Sequence, residues 1–253
     1  MNGFKASGVV AVALLLTSVP ASTAERSAPP TARPDGWLVK SWGEIKSPPS
    51  PENAREELNE LKAIAAKRTA DDIYHIHWWA VGGPAYRWNE IAIDEIVENF
   101  VTLPLAARHL ALLHAAIDDA VAVAWHNKQV SSRPRPSVAD PSIKTALPAP
   151  AGSSYPSDYA AAAAAAVEVL GYMFPARAAT LAARAEEAMK SRLLAGVEYP
   201  SDVAEGRALG QKVAALAIAR GKADGSDSKW SGTIPEGPDK WKGTNPVAPT
   251  AAT

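Results

Sequence analysis

The chain has 253 residues, of which 47% are apolar and 21% charged, with a formal net charge of −1. This is an ordinary globular balance, with length for one large domain or two small ones and no basic field that would draw nucleic acid. Cysteine is absent, which excludes disulfides, thiolate metal sites and cysteine nucleophiles.

The first 24 residues have the pattern of a secretory signal. Lys5 is the positive start, Val9 to Leu16 the short apolar run, and Pro20 with Ala21-Ser22-Thr23-Ala24 the small-residue end. The apolar run is too short to span a bilayer comfortably. An uncleaved anchor is the alternative; cleavage after Ala24 is the expectation, which makes the protein periplasmic or secreted. Residues 25–50, rich in Pro, Ser and Ala, read as an arm that Trp37 and Trp42 could pin to a domain.

The domain is expected over residues 51–223. Ser50-Pro51-Glu52 reads as a helix start, followed by Leu58, Leu61 and Ala65 at helical spacing. A second segment begins near Thr69 and runs through Trp78-Trp79 to the breaker Gly82-Gly83-Pro84. Residues 85–100 form a third, anchored by Ile91, Ile93, Ile96 and Val97. Pro104 opens a long helix to about Lys128. Its apolar stretch 101–125 carries Arg108, His109, His114, Asp118 and Asp119, so it does not read as a membrane span. Residues 129–156 hold six prolines and read as loop.

An Ala-rich helix follows from Pro156-Ser157 and stops before Pro175; another covers about 176–195 and ends at Gly196. Ser201-Asp202 caps the last, which reaches about Arg220. Gly206 and Gly210, one turn apart, would let two helix backbones approach. Residues 224–253, with Trp230 and Trp241, read as an extended tail. No stretch alternates with period two, so the fold class is all-α, a helical bundle.

Three stretches carry candidate chemistry. Lys128 is followed by six residues and then Arg135-Pro136. Ser154-Tyr155-Pro156-Ser157-Asp158-Tyr159 stands at a helix start. Ser191-Arg192 is followed by five residues and Glu198, then three residues and Asp202. Together they resemble the signature of the type 2 phosphatidic acid phosphatase and vanadium haloperoxidase superfamily: Lys-x6-Arg-Pro, Pro-Ser-Gly-His, and Ser-Arg-x5-His-x3-Asp. Order and spacings agree over residues 104–220.

The residue types suit a tetrahedral oxyanion. Lysine supplies a point charge, arginine a planar fork of donors, and a helix start supplies N–H groups. The resemblance implies that Lys128, Arg135 and Arg192 clamp a phosphate-like anion and that Ser157 donates to it. It also implies the departures. Asp158-Tyr159 stands where the family has Gly-His, and Glu198 where it has the histidine that attacks phosphorus or binds vanadium. By position, Tyr159 takes the place of the acid, Glu198 of the nucleophile and Asp202 of the orienting carboxylate, with Asp158 modifying the pocket.

Tyrosine, with an ordinary pKa of about 10, is poorly matched to neutral pH. Glu198 is an anion facing an anion. A cofactor is therefore not expected, and Glu198 disfavours vanadate. Two readings of function follow: a divergent phosphatase-like protein with an oxyanion pocket and weak or altered phosphoester hydrolysis, or a non-catalytic exported binding or scaffold protein. A third is a metal protein using His75, His77, His114 and Asp118. His126, two residues before Lys128, is a further candidate for the pocket border. The expected partner is a small phosphate-like anion, with no nucleic acid and no membrane span after signal cleavage.

Overall fold

A computed structural model describes residues 35–229 and 237–239; the signal pattern, Trp230 and Trp241 lie outside the described residues. Within them every regular element is helical. In chain order these are α1 (Arg55–Ala66), α2 (Ala70–Ala80), α3 (Tyr86–Glu98), α4 (Leu103–Ser131), the single turn α5 (Pro136–Ala139), α6 (Asp158–Met173), α7 (Ala178–Ala195) and α8 (Pro200–Ala223). Short 3₁₀ turns cover Trp42–Glu44 and Pro175–Arg177.

The helix ends have identifiable causes. Thr69 and Asp72 form a reciprocal capping box at α2. α4 ends where Ser132 turns left-handed (φ 51°), and α7 where Gly196 does so at φ 73°. The expected start at Pro51 is not used: Asn53 Oδ1 accepts the Arg55 N–H at 3.1 Å, so the chain turns once more before α1 begins. α8 starts at Pro200 rather than after a Ser201-Asp202 cap. Pro200 fills the first helical position, and Asp202, in the first turn, accepts the Tyr199 N–H at 2.8 Å. The loop expected over 129–156 is shorter, because α4 runs on to Ser131 and Pro136 starts α5.

At the centre lies α6. Its seven consecutive alanines, Ala160–Ala166, are all buried, between α4, α7 and α8. Alanine loses no side-chain entropy on burial and lets helix axes come close. The α6–α8 seam is the tightest. A Cβ at Gly206 would overlap the carbonyl oxygen of Ser157, and one at Gly210 that of Ala161. Beside it the Ser157 N–H donates to the Asp202 carbonyl at 2.9 Å. The first turns of α6 and α8 are thereby joined main chain to main chain.

The described part of the arm, residues 35–50, is packed on α4. Asp119, fully buried, accepts the N–H groups of Trp37, Leu38 and Val39 at 2.9, 2.7 and 2.9 Å. Gly36 has no room for a side chain against this carboxylate. Asn127 takes the Ser47 N–H at 2.8 Å and donates to the Ile45 carbonyl at 2.9 Å.

Candidate oxyanion site

The three sequence stretches meet where α4 and α7 end and α6 and α8 begin. Lys128 and Arg192 stand in the last turns of α4 and α7, where the helix dipole favours cations. Lys128, Arg135 and Arg192 are 5%, 5% and 3% exposed, so the structure encloses three positive side chains together. Burial on this scale demands compensation for each charge.

Lys128 is fully engaged. Its Nζ donates to the carbonyls of Ser154 (2.9 Å) and Ser153 (3.3 Å) and lies 3.4 Å from Asp158. Arg135 donates to the Val197 carbonyl at 3.0 Å and the Ser153 carbonyl at 3.3 Å. Arg192 lies over the Tyr159 ring, 4.0 Å from its centroid.

Glu198 is fully buried between the two arginines. One carboxylate oxygen is 3.8 Å from Arg135 Nη1 and 3.7 Å from Arg192 Nε. These are ion-pair separations, too long for hydrogen bonds. Both oxygens of Glu198, Nε of Arg135, Nε of Arg192 and the hydroxyl of Ser154 make no hydrogen bond. They are five of the nine such buried side-chain atoms among the described residues. Native interiors leave few polar atoms in that condition, so their concentration here is informative.

Burial pushes the Asp158 carboxyl up, but Lys128, Arg192 and Arg135 prevail and hold it below its ordinary value. Burial raises the Tyr159 phenol, against the opposing pull of Arg192, which makes it a poorer proton donor than free tyrosine. Ser157 spends its side-chain oxygen on capping α6, accepting the Ala160 N–H at 3.0 Å.

Asp202 does not contact Glu198 through a hydrogen bond. Its oxygens take the Tyr199 N–H at 2.8 Å and Arg133 Nη1 at 2.8 Å. Burial raises its pKa to about 6 against the opposing Tyr199 N–H and Arg133. Arg133, which the motif register passes over in favour of Arg135, is therefore a structural partner of the site. It also donates to Glu57 at 2.6 Å and Ser201 Oγ at 2.7 Å, and it lies 3.9 Å from the Tyr199 ring centroid. The only hint in the sequence is the doubled Arg133-Pro134-Arg135-Pro136.

The histidines are elsewhere. His75 Nδ1 pairs with Glu187 at 3.1 Å, and His114 Nε2 with Asn89 at 2.9 Å. Among the described residues no three His, Cys, Asp or Glu side chains are grouped to hold a metal, which corrects the metal-protein reading. His126 packs beside Gly43 of the arm; two residues along a helix point about 200° apart, so it faces away from Lys128. A cleft of about 600 Å³ lined by Trp37, Ala85, His114, Ile117 and Val121 contains none of the motif residues.

A vanadate ligated by imidazole does not fit this donor set. The position that would ligate it carries Glu198, a carboxyl group without a hydrogen bond, where an imidazole would be needed.

A family model described as the PAP2 superfamily matches residues 108–223. A solved structure described as the first bacterial vanadium dependant iodoperoxidase is similar in fold, with a TM-score of 0.63 at 19% identity. The likeness covers 77% of this chain and 60% of that one. No curated protein matches. The matched stretch contains Lys128, Arg135, Arg192 and positions 159 and 198, so residues 108–223 are similar to the PAP2 superfamily, and the described helices are similar in fold to the vanadium iodoperoxidase.

Proposed function

We propose that this protein is an exported, divergent member of the PAP2 superfamily that holds a phosphate-type oxyanion, with phosphoester hydrolysis weak or altered. One observation carries the reading: three enclosed cations converge where buried donors and acceptors lack partners. A small anion accepting from Arg135 Nε and Arg192 Nε would satisfy the two donors. The chemistry for turnover is poor. Tyr159 is a weakened acid, and Glu198 has no hydrogen bond to orient it, because Asp202 serves Arg133 and Tyr199. Export rests on the sequence pattern of residues 1–24; among the described residues no helix is long and apolar enough to cross a membrane.

The second reading, a binding or scaffold protein whose pocket is closed by its own carboxylates, is favoured by the Lys128–Asp158 pair at 3.4 Å. Calorimetric titration with inorganic phosphate separates the two. Heat that saturates in the native protein and weakens at least about tenfold in Arg192→Lys, which keeps the charge and loses the fork, supports the pocket. No heat in the native protein, folded by circular dichroism, gives the scaffold reading.

A further inference from the structure

The orphaned atoms around Glu198 are of two kinds, and their mixture specifies a ligand. Arg135 Nε and Arg192 Nε are donors, while an ionised Glu198 offers two oxygens that only accept. A fully ionised anion satisfies the arginines but meets the carboxylate lone pair to lone pair. A neutral hydroxyl, water included, can donate to Glu198 and accept from an arginine, but it leaves the three cations Lys128, Arg135 and Arg192 facing only two carboxylates, Asp158 and Glu198. A tetrahedral oxyanion that still carries a proton supplies both kinds of contact and the balancing negative charge, accepting through its bare oxygens and donating through its hydroxyl.

We propose that Glu198 makes the pocket selective for the hydrogen-bearing oxyanion, inorganic hydrogenphosphate, over sulfate and over the doubly ionised phosphate ester. This rests on the oxyanion-pocket reading above. Glu198 then acts as a specificity residue. Its oxygen, 3.7 and 3.8 Å from the two guanidinium nitrogens, stands at a distance where a bridging P–OH and P–O pair replaces long ion pairs with short hydrogen bonds. Inorganic phosphate keeps a proton at neutral pH. Sulfate has none, and a phosphate monoester has lost its second by then, with a second pKa of about 6. A site that needs hydrogen bonds from its ligand rejects the analogue lacking the proton, because its own buried groups are left unpaired.

The other groups facing the ligand do not duplicate this role. Asp158 is paired with Lys128, Tyr159 lies under Arg192, and Asp202 is held by Arg133.

The test is calorimetric titration at slightly alkaline pH of native protein and Glu198→Gln, each with phosphate, sulfate and a simple alkyl phosphate. Glutamine keeps the shape and adds a donor. Expected is phosphate binding to native protein at least about 50-fold tighter than sulfate or the ester, with that ratio falling below about 5-fold in Glu198→Gln as sulfate gains affinity. Sulfate bound by the native protein as tightly as phosphate overturns the selectivity and leaves the oxyanion pocket standing. So does an unchanged ratio in a folded Glu198→Gln. No binding of any anion by the native protein overturns the pocket reading and this inference with it, water then filling the site.

Discussion

Two glycine-to-alanine substitutions in neighbouring helices should have opposite effects. Gly210 lies on the α8 face pressed against α6. A Cβ there would overlap the Ala161 carbonyl oxygen, stand 3.0 Å from the carbonyl carbon and 2.8 Å from the Ala164 Cβ. Carbon atoms sit comfortably at about 3.5–4.0 Å, so the helices must separate by about 1 Å. Nothing flexible can yield, because the obstructing atoms are main chain and Cβ.

Overpacking of this kind costs about 3 kcal/mol, offset by about 1 kcal/mol of improved helix propensity. The net loss for Gly210→Ala is about 2 kcal/mol, a fall in melting temperature of about 4–8 °C. Gly171 in α6 is the control: its Cβ would meet only the Ala178 Cβ, at 3.7 Å, an ordinary contact. Gly171→Ala should raise stability by about 0.5 kcal/mol. Thermal melts followed by far-ultraviolet circular dichroism read both. A Gly210→Ala protein that melts at or above the native temperature would refute the close α6–α8 approach.

Asp119→Ala removes the acceptor of three arm N–H groups and should destabilise by about 3 kcal/mol or more, with faster proteolytic cleavage within residues 35–50; unchanged cleavage would detach Asp119 from that role. Asp202 titrates near 3.8 unfolded and about 6 folded, so the folded state binds more protons between those values and stability falls as pH rises through that window. Asp202→Asn should therefore gain on native protein by about 2 kcal/mol between pH 4 and pH 7, measured by urea denaturation; a constant difference would contradict the raised value. Tyr159→His combined with Glu198→His should raise phosphate-ester hydrolysis at least about 100-fold, and no gain in a folded double variant would argue that positions 159 and 198 do not face the substrate.

The all-helical class was legible because apolar residues recur at helical spacing while Pro and Gly punctuate the chain. The positions of Lys128, Arg135 and Arg192 were legible too, since fixed spacings onto helix ends survive whatever lies between. The partners were not. Glu57 reaches Ser201 across 144 residues, and no local pattern announces that contact. Arg133 sits inside a spacer, so its bridging of Glu57 and Asp202 depends on how α1 docks. In the sequence Asp119 is one of several charges on the apolar stretch 101–125; its use as a receptor for backbone N–H groups depends on where the arm settles. Helix starts slipped by a few residues where Asn53 and Pro200 took the work of caps from Ser50 and Ser201.

The joint between α6 and α8 bears on how such a site changes over time. Ser157 bonds to the main chain of Asp202, and Gly206 lets the two helices touch at that point. The spacing between the second and third motifs is thus set by main-chain atoms and by the missing Cβ at Gly206. Side chains at 158, 159 and 198 can then be exchanged without widening or shifting the enclosure. A frame of this kind tolerates loss of its original chemistry, and the same rigidity keeps it ready for another.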